Sequence, residues 1–160
     1  MGCLNPMTNL KIYNSKDKKN LLQALQQQFG IKKLPKLVYL ENNKQKIYVV
    51  NRDIEYFPLK NYRIDRLGLY IGKWFSDGFR PSLDGSMLLG PLASKNVIDL
   101  TLEEKHEWLK GFTLRFNLPD GFYFLRWQKD YLSSGKLKNK KIQNSISKER
   151  RLKVVNEKLQ

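Results

Sequence analysis

Positive charge is piled at both ends of this chain and cancelled in its middle, which limits what the chain can fold into. Residues 1–60 carry 11 basic and 4 acidic side chains, residues 61–120 carry 8 of each, and residues 121–160 carry 11 against 3. The densest run holds Lys136, Lys138, Lys140, Lys141, Lys148 and Arg150, then Arg151 and Lys153, with Glu149 as its single acid. Charges this close repel one another in a compact state unless solvent or a polyanion relieves them. A fold must turn these side chains outward and build its core from the short apolar runs between them. Hydrophobic residues make up 41% of the chain and aromatic residues 12%, enough for a core, so wholesale disorder is excluded. Nucleic acid is the polyanion expected, because each neutralised phosphate releases condensed counterions. A compositional preference for lysine would instead spread the charge evenly.

The 160 residues give room for one domain or two small ones. A single cysteine, Cys3, excludes a disulfide framework and a cysteine-rich zinc site. A single histidine, His106, excludes a multi-histidine metal centre, and no cofactor is expected. No stretch approaches the roughly 18 apolar residues of a membrane span. Met1 to Pro6 lacks the apolar run of a signal peptide, and Pro6 stands where a myristoylation signal needs Ser or Thr. These features lead us to expect a soluble, reduced, cytoplasmic protein with no membrane partner.

Residues 1–16 read as a flexible lead-in. From Asp17 the spacing becomes helical, with Leu21, Leu22, Leu25 and Phe29 on one face and Gly30 as the stop, predicting a helix over 17–29. The runs 36–40 and 46–50 flank a polar turn and predict a hairpin. One helical turn is expected over Arg52 to Phe57, a strand over Leu67 to Phe75, and a short helix capped by Ser82, with Gly85 weakening it. Asn96 to Leu100 reads as a short strand. Thr101 and Glu104 form a capping box that starts a helix running to Lys110 and ending at Gly111. Asp120-Gly121 is a turn, and Gly121 to Gln128 is a strand rich in aromatics. The fold class is α+β: a helix and a hairpin, then a unit of short strands with one capped helix, the switch falling near residue 95.

The residues do not assemble an active site. Cys3 has no neighbouring histidine or electropositive pocket. His106 sits within a helix between Lys105 and Glu107, a surface position. Glu103, Glu104 and Glu107 stand where the helix macrodipole favours negative charge. Gly68-Leu69-Tyr70-Ile71-Gly72 lacks the spacing and following helix of a dinucleotide fold, and no phosphate loop occurs. No catalytic or metal-ligating residue is therefore expected. Binding is different. Lys136, Lys138, Lys140, Lys148, Arg150 and Arg151 present point charges and bidentate guanidinium groups for phosphates. Asn139 and Asn144 each offer a donor and an acceptor to a base edge or 2′-hydroxyl. Tyr131 is a candidate stacking surface; Trp127, on a strand, reads rather as core. Lys73, Arg80 and Lys95 make a second, weaker candidate surface, because acidic residues in that segment offset its charge.

The pattern Gly121-Phe122-Tyr123-Phe124-Leu125, Ser133-Ser134-Gly135-Lys136, Lys138-Asn139 and Ser147-Lys148-Glu149-Arg150-Arg151 resembles the closing part of a known family. That family is the PUA-like RNA-binding domain at the C-terminal end of Sun-type (RsmF-like) RNA 5-methylcytosine methyltransferases. Phe29-Gly30-Ile31, Leu67 to Trp74, Phe79-Arg80-Pro81-Ser82 and Trp108-Leu109-Lys110-Gly111 are similar to the family's preceding segment. The likeness covers about residues 20–155. Two departures stand out: Ser147 replaces a Pro, and Ser133-Ser134 occupies a place where the family has a turn. The chain is also too short to add an S-adenosylmethionine-binding sheet and lacks the Pro-Cys catalytic motifs. The resemblance implies a free-standing RNA-binding module, and Lys136, Lys138, Asn139, Lys148, Arg150 and Arg151 match its terminal basic pattern.

The expected architecture is a small N-terminal α/β segment, residues 17–95, packed on a C-terminal PUA-like mixed β-barrel, residues 96–156. The expected function is non-catalytic binding of structured RNA, rRNA or tRNA, in RNA modification or ribosome biogenesis. Rival readings are a ribosome-associated structural protein, the RNA-targeting subunit of a split RNA methyltransferase, and a hydrolase on a related barrel. The partners in view are RNA, an RNA methyltransferase or a ribosomal particle.

Overall fold

A computed structural model describes residues 4–5, 10–53 and 68–153, the first pair by backbone alone. Among them the chain forms three α-helices and two sheets. The first sheet is an antiparallel meander of β1 (Leu4–Asn5), β2 (Leu10–Ile12), β3 (Val38–Asn42), β4 (Lys46–Val50), β5 (Leu69–Phe75) and β6 (Gly78–Pro81), in sequence order. The second contains β7 (Val97–Asp99), β8 (Leu114–Arg115), β9 (Gly121–Trp127), β10 (Asp130–Lys138) and β11 (Lys141–Ile142), in the order β7-β9-β10-β11-β8. β7 runs parallel to β9 and the other pairs are antiparallel. Among the described residues the pairing ends at β7 and β8, so the mixed α/β class agrees with the expectation while the second sheet is a curled half-barrel.

The N-terminal half follows its sequence signals with two differences. Helix α1 spans Ser15–Phe29, two residues earlier than its apolar spacing predicts, because Asn14 caps it. The Asn14 side chain accepts from the Asp17 amide while Asp17 reaches back to the Asn14 amide, a reciprocal box that satisfies two orphan donors. Gly30 closes the helix at φ 66°, a left-handed position that costs glycine little. β2 and the start of α1 lie within the stretch expected to be a loose lead-in. The hairpin β3–β4 forms as expected, its turn pinned by the Asn42 side chain accepting from the amides of Lys44 and Lys46. Arg52 and Asp53 adopt a 3-10 turn, and the rest of the turn expected there lies outside the described residues, as does Cys3.

Helix α2 (Leu83–Leu89) starts at Ser82, whose hydroxyl accepts from the Gly85 amide. Gly85 is what lets this helix dock. A Cβ there would sit 1.8 Å from the Ile71 carbonyl oxygen, so the glycine permits α2 to lie directly on β5. Helix α3 (Leu102–Leu109) carries the Thr101–Glu104 capping box and buries Trp108 completely. Replacing Thr101 by alanine is expected to cost about 1 kcal/mol of stability, the usual worth of such a cap, seen as a lower urea midpoint.

The two sheets share their packing. One core gathers Leu21, Leu25 and Phe29 of α1, Ile47, Ile71 and Phe79 of the first sheet, and Phe122 and Phe124 of β9. The Phe29 and Phe124 rings lie 4.1 Å apart between centroids. A second core surrounds Trp108 with Ile98, Leu125, Leu137 and Ile142. Polar bonds add to this packing: Gln28 ties α1 to β6, donating to the Phe79 carbonyl at 2.7 Å and accepting from its amide at 2.9 Å. Ser134, buried in β10, donates to the Pro81 carbonyl at 2.6 Å, which places β6 against β10. Arg126 and Asp99 form a two-pronged ion pair at 2.6 and 3.0 Å that ties β9 to β7. No helix among the described residues is long and apolar enough to cross a membrane.

Candidate nucleic-acid interface

Strand alternation builds the site. On β10, β11 and β8 the side chains of Leu137, Ile142 and Leu114 enter the second core. Their neighbours Lys138, Lys141 and Arg115 consequently point out to solvent. The register then aligns them, since Lys138 pairs with Lys141 and Lys141 pairs with Arg115. Three cations thus stand in one row across three strands. Directly opposed like charges on a sheet are destabilising.

That row lines a cleft of about 1150 Å³, to which Arg80 and Lys136 also contribute. Glu107 is the single carboxylate among the described lining residues. A second cleft of about 510 Å³ shares Arg80, Pro81 and Ser145 with the first and adds Lys73 and Arg150. Asp84, the one carboxylate among its described lining residues, lies 3.5 Å from Arg150. The two clefts adjoin at these shared residues as a groove with a strong excess of positive charge, and Arg80 lines both parts.

Asp77 holds the junction in shape. It accepts a hydrogen bond from Lys136 and lies 3.8 Å from Arg80. The Lys136 bond, with the positive charges of Lys136 and Arg80, holds the Asp77 carboxyl below the usual carboxylate range. The Arg80 guanidinium also stacks over Phe75 at 4.2 Å. Its Nε is buried and makes no hydrogen bond among the described residues, a feature that native proteins keep rare.

Of the residues singled out in the sequence, Lys136, Lys138, Asn139, Arg150, Lys73 and Arg80 line this groove. Lys73 and Arg80 of the second candidate surface therefore join the first, whereas Lys95 lines neither cleft. Lys140 and Lys148 are exposed but do not line it. Three others are structural. Asn144 donates to the carbonyls of Trp108 and Phe112 at 2.6 and 3.1 Å and accepts from the Ile146 amide, so both its amide donors are engaged within the protein. Arg151 donates from Nε to the Ile146 carbonyl and packs its stem against Gly111. Tyr131 sets its ring edge-on to Phe124 and bonds through its hydroxyl to Arg126, which fixes it in the first core. Trp127 is partly buried beneath the Lys105 ammonium, 3.7 Å from its ring.

Arg115 and Phe112, which no charge cluster marks, also line the groove, as does Lys141 of the dense basic run. Alternation was the available signal, since Leu114-Arg115 and Lys141-Ile142 each pair one inward apolar residue with one outward cation. His106 is exposed on α3, as its position suggests. Among the described residues no group of three or more His, Cys, Asp or Glu side chains is placed to hold a metal ion.

Comparison with known proteins gives relatives at modest similarity. The chain is 26% identical over 116 residues to the ribosomal RNA small subunit methyltransferase F of Vibrio campbellii (strain ATCC BAA-1116). The like-named protein of Vibrio parahaemolyticus serotype O3:K6 (strain RIMD 2210633) is 25% identical over the same length. Each match covers 64% of this chain and 24% of the relative, so the chain spans about a quarter of these proteins' length. The segment that contributes the three-cation row, residues 95–152, matches the family model of the methyltransferase RsmF PUA domain, the family that the aromatic strand and closing basic pattern resemble.

Proposed function

We propose that this chain is an RNA-binding protein that holds structured RNA, rRNA or tRNA, along the groove between its two sheets and does no chemistry on it. The observation that carries this reading is the cross-strand row Lys138, Lys141 and Arg115 within a groove otherwise poor in carboxylates. Aligned cations on rigid strands set the spacing at which side chains meet phosphates, and contacts of that kind position an RNA. The match to a PUA domain of an RNA methyltransferase supports RNA over other polyanions. The process served would be RNA modification or ribosome biogenesis, in the cytoplasm.

The relatives favour a second reading in which the chain delivers RNA to a separate methyltransferase, because both are named as rRNA methyltransferases and the match covers only a quarter of each. Fluorescence anisotropy with a labelled rRNA hairpin tests the first reading. Binding is expected to weaken steadily as salt rises, with log affinity linear in log salt. Absence of salt-dependent binding would refute it. Recovery of a methyltransferase chain on the tagged protein would support the second reading.

A further inference from the structure

Among the described residues lining the wider cleft, Phe112 is the one large aromatic side chain, with 53% of its surface open to solvent. It stands beside Arg115 and Lys141 in the same cleft, and no described ring or cation stacks on it. A single exposed apolar side chain is ordinary on a protein surface, but here an aromatic ring stands among the cations that line the cleft. Its backbone is held at both ends, the amide donating to the Glu107 carbonyl at 3.1 Å and the carbonyl accepting from Asn144. Gly111, at φ 99°, makes the turn that delivers it, and Arg151 covers that glycine. The internal roles of Asn144 and Arg151 thus converge on presenting this one ring.

We infer that the groove takes unpaired nucleotides, with one base stacked on Phe112 while the flanking phosphates lie on Lys138, Lys141 and Arg115. This rests on the RNA-binding reading and narrows it to a ligand class: a loop, bulge or end rather than a continuous duplex. In a duplex the base faces are covered by their neighbours and offer nothing to a ring, whereas an unpaired base presents its π-face whatever its identity. Polar side chains at the same cleft, Thr113, Asn139 and Gln143, supply donors and acceptors for base edges and 2′-hydroxyls. Exposed Phe75 lies in the adjoining cleft, but Arg80 already stacks on it, which leaves Phe112 as the open platform.

The test compares the full chain with its Phe112→Ala, Phe112→Leu and Phe112→Trp variants on two probes at one salt concentration. One probe is an RNA hairpin with an unpaired loop carrying 2-aminopurine, and the other is the same strand annealed to its complement. The unmodified protein is expected to prefer the hairpin and to change the loop fluorescence. Phe112→Ala and Phe112→Leu should weaken hairpin binding by roughly 5- to 100-fold, the worth of one stacked base, with little effect on the duplex, while Phe112→Trp retains binding. Should Phe112→Ala not fold, Phe112→Leu, which keeps apolar bulk without a π-face, gives the same readout. Equal affinity of Phe112→Leu and the unmodified protein for the hairpin would overturn the stacking role while leaving the groove as a phosphate site. Failure of the unmodified protein to bind either probe would overturn the RNA-binding reading itself.

Discussion

Replacing Phe124 by alanine is expected to cost about 3–5 kcal/mol of stability, the usual range for removing a buried phenylalanine. Phe124 is fully buried, stacks 4.1 Å from Phe29 of α1 and receives the edge of Tyr131. It belongs to the second sheet but fills the core of the first, so its removal opens a cavity at the seam and weakens both halves together. A domain of this size has only about 5–15 kcal/mol in total, so the loss is a large share. Trp74 reports on the first sheet and Trp108 on the second, which makes tryptophan fluorescence and far-ultraviolet circular dichroism suitable probes of urea unfolding. One cooperative transition with a clearly lower midpoint is expected in both signals. A cost below about 1 kcal/mol, or two well-separated transitions in the unmodified protein, would show that the halves do not share a core.

The second large effect concerns binding. Changing Arg115, Lys138 and Lys141 to alanine together is expected to flatten the log-affinity against log-salt slope by about two to three units, near 0.7–0.9 per lost phosphate contact. At physiological salt that corresponds to an affinity loss on the order of 100-fold. All three side chains are exposed, so the fold should survive, and relief of like-charge repulsion within the row should if anything raise the urea midpoint. Removing an equal charge at Lys16, Lys19 and Lys33, exposed in and after α1 and absent from the groove lining, supplies the comparison. Equal slopes in the two triple variants would mean that net charge alone, with no located contact, drives binding.

Local signals carried much of the fold. The Thr101–Glu104 box, the Gly30 stop and the polar turn between β3 and β4 all depend on residues within a few positions of one another, where side chain and backbone chemistry decide the outcome. Gly85 was harder to interpret. Its helix weakening is real in isolation, yet the close approach to Ile71 that requires it is a contact between elements, which no local pattern reports. The same distinction divides the site. Lys136, Lys138 and Arg150 were legible because charge on a strand or turn must point outward. Asn144, Arg151 and Tyr131 have the right chemistry for RNA, but Asn144 spends its amide donors on the Trp108 and Phe112 carbonyls, Arg151 commits its Nε to Ile146, and Tyr131 packs against Phe124 and Arg126, contacts that no charge pattern reports. Arg115 was hidden for another reason. Summing charge over residues 61–120 gives zero, but the sum mixes the two faces of the fold, whereas the sheet sorts them and sets Arg115 beside Lys141.

Ultraviolet crosslinking of the full chain to a labelled rRNA fragment, followed by mass spectrometry of the crosslinked peptides, addresses the location of the RNA without altering any residue. Crosslinks are expected at Phe112 and within 113–115, 136–143 and 73–80, the stretches that line the groove. Crosslinks confined to α1 and the Lys32–Lys33 segment, with none in those stretches, would place the RNA elsewhere and contradict the groove as its binding site.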